Sequence, residues 1–86
     1  MTQRERILVT MLIYKEKEVW TASDFQRGRY FVGYEASARM SELIKLHPRV
    51  FIVGKQNRFR TLKINWEAEE TQKLLKEYEL EELVVV

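Results

Sequence analysis

The sequence predicts one small α+β domain in which three helices and a β-hairpin form the body and an additional helix follows at the C-terminal end. A length of 86 residues provides for one core only. Apolar residues recur at helical spacing in separate segments, and an alternating stretch interrupted by turn residues predicts the hairpin. With 45% hydrophobic and 33% charged residues, the chain can pack an interior and keep a charged surface, which argues against intrinsic disorder.

The first two helices are predicted from signals at their N-terminal ends. A threonine followed three residues later by an acidic residue is typical of a capping box, and this pattern occurs twice, at Thr2 with Glu5 and at Thr21 with Asp24. Helical spacing extends the first helix over about residues 3 to 15, and about residues 18 to 20 are predicted to be a short extended piece. The second helix is short because Gly28 breaks it.

The third helix and the hairpin follow from spacing and from helix breakers. Apolar residues at i, i+4 and i+7 predict a helix over about residues 34 to 46, and Pro48 disfavours helical geometry in the residue before it. A strand, a turn and a second strand are predicted over about residues 50 to 64, with residues 54 to 57 supplying the turn. This order of elements is that of a winged helix-turn-helix, in which the hairpin is the wing.

These elements can close one core and leave a polar face on the third helix. The predicted core residues are Ile7, Leu8, Met11, Leu12, Phe25, Ala36, Met40 and Leu43, with Phe51, Val53, Leu62 or Ile64 from the hairpin laid against them. The residues of the third helix predicted to point outward are Tyr34, Ser37, Ala38, Ser41 and Lys45, with Arg39 and Glu42 on its flank. Small and polar side chains on this face would let the helix approach the floor of a DNA major groove.

The charge of the chain is divided between a basic body and an acidic tail. Residues 1 to 66 hold 13 Lys and Arg against 6 Asp and Glu, whereas residues 67 to 86 hold two Lys against seven Glu. A basic body favours a polyanionic partner. Cations and amides are concentrated on the predicted wing, at Lys55, Gln56, Asn57, Arg58 and Arg60. Exposed charges add little to stability there, so contact with a phosphate backbone is the predicted use.

The segment from Gly33 to Lys45, and most closely Ser37-Ala38-Arg39-Met40-Ser41-Glu42-Leu43, resembles the recognition helix of the winged-helix DNA-binding superfamily. Within that superfamily, the chain is similar to the short helix-turn-helix proteins of bacteriophage and other viral genomes, over about residues 2 to 64. The resemblance implies that Ser37, Ala38 and Ser41 lie in the groove and that Arg39 contacts a base or a phosphate. It also implies that the wing contacts the DNA backbone or minor groove.

The predicted function is therefore sequence-specific binding of double-stranded DNA by a transcriptional regulator. The alternative is a winged helix that binds a partner protein through the third-helix face. Residues 27 to 34 also fit part of the RNP1 pattern of RNA-binding domains. Too few residues precede them for the helix and strand that an RNA-recognition motif requires, so Tyr30 and Phe31 are interpreted as packing or flank residues.

Several classes of function are disfavoured by the residue inventory. The chain has no Cys and a single His, so we expect no metal site, no cofactor and no small-molecule ligand. His47 lies beside Pro48 with no acid positioned to orient it, so we do not expect an enzyme. No apolar run is long enough to span a membrane, and the absence of Cys favours a reducing cytoplasm, which is the host cytoplasm if the protein is viral.

The acidic tail is predicted to be a fourth helix and a second unit of the chain, residues 67 to 86. Asn65 is a candidate cap, and the helix should run over about residues 66 to 80. Its apolar stripe is thin, yet further apolar groups lie beside it, which favours a homodimer. The predicted dimerisation residues are Leu74, Leu75, Tyr78 and Leu83. Packing of this helix on the first helix of the same chain is the alternative.

Overall fold

The computed structural model describes residues 1 to 80. Over that part of the chain it contains four α-helices, α1 (Gln3–Ile13), α2 (Ala22–Gln26), α3 (Ala36–Leu46) and α4 (Glu69–Glu77), and a two-stranded antiparallel sheet of β1 (Phe51–Gln56) and β2 (Phe59–Ile64). A 3₁₀ turn, Gly28–Tyr30, lies between α2 and α3. The predicted α+β class and the predicted hairpin are confirmed. No helix among the described residues is both long and apolar enough to cross a membrane.

The first two helices begin at the predicted capping signals. At α1, the Thr2 hydroxyl accepts a hydrogen bond from the Glu5 N–H at 3.1 Å, and the Glu5 carboxylate accepts one from the Thr2 N–H at 3.1 Å. At α2, the Asp24 carboxylate accepts from the Thr21 N–H at 2.8 Å. Each acid also lies in the first turn of its helix, where the helix dipole favours a negative charge. α2 ends at Gln26, where Arg27 takes an extended conformation, and Gly28 begins the following turn with a φ of +78°.

One hydrophobic core joins the helices to the sheet. Every helical core residue named from the sequence is buried, and Phe51, Leu62 and Ile64 join them from the hairpin. The short extended piece is confirmed at Trp20, which exchanges two backbone hydrogen bonds with Leu62, at 2.8 and 2.9 Å. The Trp20 ring stacks on Phe25 at 5.1 Å between ring centroids. Trp20 therefore holds β2 against α2 and fixes where the hairpin leaves the body.

The turn of the hairpin lies later than predicted. The register pairs Gln56 with Phe59, so the turn consists of Asn57 and Arg58, and Asn57 takes a left-handed φ of 58° that asparagine tolerates well. Gly54 is instead a strand residue paired with Thr61. The prediction that Val53 packs against the core is wrong, because its side chain is 50% exposed. β1 is the outer strand, paired only with β2, and past Phe51 all its side chains are exposed.

The C-terminal helix packs on its own domain. α4 begins at Glu69 with Ala68 as its N-cap. Asn65, the predicted cap, does not cap this helix, because its Oδ1 accepts a hydrogen bond from the N–H of Glu67 at 3.2 Å, before the helix begins. The apolar residues Leu74, Leu75 and Leu80 are buried in the same core as the rest of the domain. The assignment of Leu74 and Leu75 to a dimer surface is therefore wrong, since their own chain covers them.

Two other parts of the dimer prediction have different outcomes. Tyr78 is partly buried, and its hydroxyl lies 3.5 Å from the Glu5 carboxylate, which ties α4 to the first turn of α1. Leu83, the remaining residue of the predicted dimer surface, lies outside the described residues. The predicted homodimer itself stays a prediction.

Candidate nucleic-acid interface

The outward face of α3 is small and exposed near its N-terminal end. Ala36, Met40 and Leu43 are buried against the body, while Ser37 and Ala38 are exposed. Toward the C-terminal end of the helix, Lys45 is also exposed. Tyr34 is not a residue of α3, because it lies in the turn before Ala36, but its side chain is 81% exposed beside the start of the helix. This exposed face has two flanks, which differ in charge and in bonding.

The first flank faces the hairpin and consists of Ser37, Ser41 and Arg60; we call it the hairpin flank. Arg60 Nη1 donates a hydrogen bond to Ser41 Oγ at 2.9 Å, and Arg60 Nη2 donates to the Ser37 carbonyl oxygen at 3.0 Å. The Ser41 hydroxyl itself donates to the Ser37 carbonyl oxygen at 3.2 Å. These bonds form a closed set of three, so the position of the guanidinium is determined by α3.

This placement corrects the grouping of Arg60 with the wing tip. Arg60 is paired with Lys55 in the sheet register and shares the face of Leu62, two residues on, which is the face turned toward the core and α3. The tip itself consists of Lys55, Gln56, Asn57 and Arg58, all exposed. The groove role predicted for Ser41 is also corrected in part, because its hydroxyl is hydrogen-bonded to Arg60 and to the Ser37 carbonyl oxygen.

A cleft of about 760 Å³ lies between α2, α3 and the hairpin. Three arginines line it, namely Arg27, Arg58 and Arg60. Hydroxyl groups of Thr21, Ser23 and Ser37 lie along its walls, and no carboxylate is among its lining residues. Arg27 Nε donates to Ser23 Oγ at 3.4 Å, one helical turn before it. The cleft therefore combines positive charge with neutral hydrogen-bonding groups, a combination suited to an anion.

The second flank faces α1 and consists of Arg4, Arg39 and Glu42; we call it the α1 flank. The Glu42 carboxylate lies 3.5 Å from Arg4 Nη1 and 3.3 Å from Arg39 Nη2. Arg39 Nε is buried and has no hydrogen-bond partner among the described residues. Arg39 thus lies against α1 in an ion pair, apart from Ser37 and Ser41. The base or phosphate role predicted for it does not fit this placement.

Ion pairing separates the two flanks. Among residues 1 to 80, the ion pairs are Arg4–Glu42, Lys17–Asp24, Arg39–Glu42 and Arg49–Glu70. None of these pairs involves the exposed residues Lys45 and Lys55 or the three arginines that line the cleft. Beside α3, the arginines of the α1 flank therefore have an acidic partner among the described residues, whereas the arginines on the hairpin side have none.

Two aromatic residues of the α2–α3 turn are exposed. The rings of Phe31 and Tyr34 lie 5.3 Å apart in an edge-to-face arrangement, and Phe31 is exposed like Tyr34. Tyr30 packs inward between Tyr14 and Trp20, at 5.0 and 4.9 Å, as the sequence interpretation expected. The exposed pair extends the outward surface of α3 at its N-terminal end.

Sequence reasoning missed Arg27 and Phe59 as parts of this surface. Arg27 follows Ser23 by four residues, and that helical spacing was a usable signal for placing both on one side of α2. Phe59 lines the cleft from the first position of β2. The face of the sheet on which Phe59 lies depends on the position of the turn, because a register shift of one residue moves every side chain of the strand to the other face.

Comparison of the chain with models of known protein families, with curated proteins and with solved structures gives no match. Groups of three or more potential metal ligands do not occur among the described residues. Conclusions about function therefore come from the charge and the geometry of this surface.

Proposed function

We propose that this protein is a winged helix-turn-helix protein that binds double-stranded DNA sequence-specifically and regulates transcription. In this proposal α3 enters the major groove, and the tip of the hairpin contacts the DNA backbone or the minor groove. The observation that carries the proposal is the hairpin flank with its adjoining cleft, where Arg27, Arg58 and Arg60 lie beside small polar side chains and no carboxylate.

The order of the elements supports the fold named in the proposal. A helix, a single strand pairing at Trp20, two further helices and a hairpin follow one another along the chain. The strand pairing at Trp20 makes β2 the middle element of a minimal three-stranded arrangement. The hairpin also contacts α3 directly, through the bonds from Arg60 to Ser37 and Ser41.

The shape of α3 supports entry into a groove. The major groove of B-DNA is about 12 Å wide and admits one α-helix, provided that its outward side chains do not hold the backbone away. Ser37 and Ala38 meet this condition, and both are exposed. Lys45 is exposed further along α3 and can approach a phosphate at the groove edge.

The charges on the hairpin support contact with the DNA backbone. Lys55 and Arg58 are exposed near or in the two-residue turn, and neither takes part in an ion pair among residues 1 to 80. Phosphate contacts position a protein without reading sequence, and they release counterions from the duplex. The tip is thus suited to holding the duplex while α3 reads it.

One observation favours a second candidate, a winged helix that binds a partner protein. Phe31 and Tyr34 present apolar surface beside the start of α3. Aromatic residues are enriched in protein interfaces, where they bury large areas. Such a partner would cover the face that the first proposal assigns to DNA, so the two candidates predict different responses to salt.

The experiment is a titration of random-sequence duplex DNA with the full chain at several salt concentrations. We expect micromolar or tighter binding whose logarithm falls linearly with the logarithm of salt concentration, by about 0.9 per phosphate neutralised. The double variant Lys55→Ala/Arg58→Ala should weaken binding to all duplexes alike and make the slope shallower by about 2.

The matched control is Lys73→Ala/Lys76→Ala, which removes the same charge from exposed positions on α4. This control should change the slope far less than the hairpin variant does. Equal losses in the two variants would mean that the duplex responds only to net charge. Salt-independent binding, or none, would overturn the proposal and favour the protein partner.

A further inference from the structure

Arg60 belongs to β2 by sequence, yet its guanidinium is held on α3. Its two Nη atoms reach Ser41 Oγ and the Ser37 carbonyl oxygen at 2.9 and 3.0 Å. Ser37 and Ser41 are one helical turn apart on the hairpin flank, so the guanidinium lies along the helix surface rather than at the hairpin tip. An arginine from the sheet therefore forms part of the surface that α3 presents.

The hydrogen bonds fix this guanidinium in place before any partner arrives. The Ser41 hydroxyl donates a hydrogen bond to the Ser37 carbonyl oxygen at 3.2 Å, so the hydroxyl oxygen is oriented to accept a hydrogen bond from Arg60. A free arginine side chain loses considerable rotamer freedom on binding, and a side chain already held loses less. The guanidinium keeps further N–H groups beyond the two that α3 occupies.

The charge of Arg60 has only neutral acceptors in the described chain. Arg4 and Arg39, on the α1 flank, both have the Glu42 carboxylate, whereas Arg60 is partly buried and takes part in no ion pair among residues 1 to 80. A serine hydroxyl and a backbone carbonyl orient a cation without neutralising it. The remaining N–H groups therefore suit an acceptor that comes from outside the chain.

We infer that Arg60 recognises a guanine in the major groove and is the side chain that determines sequence preference. This inference rests on the proposed function, because it requires α3 to lie in the groove. Guanine presents two adjacent acceptors there, O6 and N7, which match the fork of a guanidinium, and arginine to guanine is the commonest specific base contact. Lys55 and Arg58 at the exposed tip are left for the phosphates.

The test begins with selection of bound duplexes from a random pool by the wild-type chain. We expect a guanine to be enriched at a defined position of the selected site. Replacing that guanine with 7-deazaguanine removes the N7 acceptor and leaves Watson–Crick pairing intact. Wild-type affinity should fall by about fivefold or more, which is the lower end of the range for a bidentate base contact, because the O6 acceptor remains.

Protein variants then identify the side chain. Arg60→Lys keeps the charge but loses the planar fork, so the preference for guanine at that position should weaken while affinity for random duplex stays within about twofold. The 7-deazaguanine substitution should then have a smaller effect on Arg60→Lys than on the wild type, because the two changes act on the same contact. Ser41→Ala removes one of the bonds that hold the guanidinium, and it should reduce the guanine preference less than Arg60→Lys does.

The matched control is Lys63→Ala, an exposed cation of the same strand. Its register partner is Ile52, which places it on the opposite face of the sheet from Arg60. The selected site of this variant should keep the guanine.

Each remaining outcome separates this inference from the proposed function. If Arg60→Lys keeps the full site preference, or if Arg60→Ala weakens all duplexes equally, Arg60 holds a phosphate and the inference is overturned while DNA binding stands. If wild-type affinity is unchanged by 7-deazaguanine at every guanine of the site, the inference fails even where an Arg60 variant does not fold. Absence of duplex binding by the wild type overturns both.

Discussion

The two flanks of α3 present the same side chain, arginine, in opposite electrostatic settings. On the α1 flank, Arg4 and Arg39 share the Glu42 carboxylate. On the hairpin flank, Arg60 is held by a hydroxyl and a carbonyl oxygen, and the described residues that line the neighbouring cleft include no carboxylate. Both flanks lie beside the same exposed face. The comparison teaches that the pairing of cations, rather than their number, decides which side of a basic helix attracts an anion.

The difference also separates a structural use of charge from a binding use. The side chains of Arg4, Arg39 and Glu42 are each about one third to two fifths exposed, and ion pairs that exposed contribute about 0 to 1 kcal/mol. Their main effect is to cancel the one carboxylate on this part of α3 and to join α3 to the first turn of α1. On the hairpin flank the acceptors of Arg60 are neutral, so its charge is not cancelled there.

The largest expected effect comes from weakening the packing of α3 on the core, because both flanks depend on the position of this helix. Leu43 is fully buried on the core face of α3, so Leu43→Ala should lower the free energy of unfolding by about 2 to 5 kcal/mol. For a domain this small such a loss should disrupt both flanks together. The control is Leu46→Ala, at a position 54% exposed on the same helix, which should cost less than about 0.5 kcal/mol.

Denaturant unfolding followed by circular dichroism measures both free energies. Equal costs at the two positions would mean that α3 is not anchored through Leu43, and the distinction between its flanks would lose its basis.

A smaller effect is expected from opening the α1 flank. Glu42→Gln removes the carboxylate that Arg4 and Arg39 share, so both arginines should become available to phosphate. On the proposed function, affinity for duplex DNA should rise by about two- to tenfold at low salt, and the salt dependence should steepen. Stability should fall by less than about 1 kcal/mol.

The variant Arg39→Gln is the matched control, because it breaks the Arg39–Glu42 ion pair by removing the positive charge instead of the negative one. It should lower affinity by no more than about twofold and leave the selected site unchanged, since Arg39 lies apart from Ser37 and Ser41. A change of base preference in Arg39→Gln would show that the α1 flank enters the groove. The two flanks would then have to exchange roles.

Local patterns in the sequence predicted most of the fold. The capping boxes at Thr2 and Thr21, the helical core residues and the existence of a hairpin each depend on residues within a few positions of one another. The tail is an instructive failure. The apolar stripe of α4 is predicted to be too narrow to bury all the apolar residues of the tail against its own domain. Thr71, however, is fully buried beside Leu74 and Leu75, so a polar residue expected at the surface is part of the buried face.

The candidate site was harder to predict because it depends on distant parts of the chain. The position of Arg60 follows from the strand register, which follows from a turn at Asn57 and Arg58 rather than at Gly54. The position of Arg39 follows from where α1 packs, since Arg4 is far from Glu42 in sequence. The sequence identified the outward residues of α3 by helical period alone, but which flank would be neutralised required the tertiary structure.

The smallest expected effect concerns acid, and it acts on the α1 flank only. The N–H of Thr2, followed by its hydroxyl, donates hydrogen bonds to the Glu5 carboxylate and holds the pKa of that carboxyl below its ordinary value. A lowered pKa in the folded state means that the carboxylate stabilises the fold at neutral pH. That contribution is complete above the ordinary value of about 4.3 and is lost as the pH falls through the lowered, folded value.

Protonation of Glu5 should therefore loosen the first turn of α1, from which Arg4 reaches Glu42, before it affects the hairpin flank. A pH titration by NMR should show Glu5 titrating below the ordinary value for a glutamate, and the amide of Glu5 should lose protection from exchange in the same range. In Thr2→Ala the titration of Glu5 should move up toward the ordinary value for a glutamate, because the hydroxyl bond is gone. Resonances of Ser37, Ser41 and Arg60 should stay constant through this titration, since no carboxylate among residues 1 to 80 forms a hydrogen bond or an ion pair with that set. If those resonances instead shift together with Glu5, the two flanks are coupled through α3, and acid would reach the proposed reading surface as well.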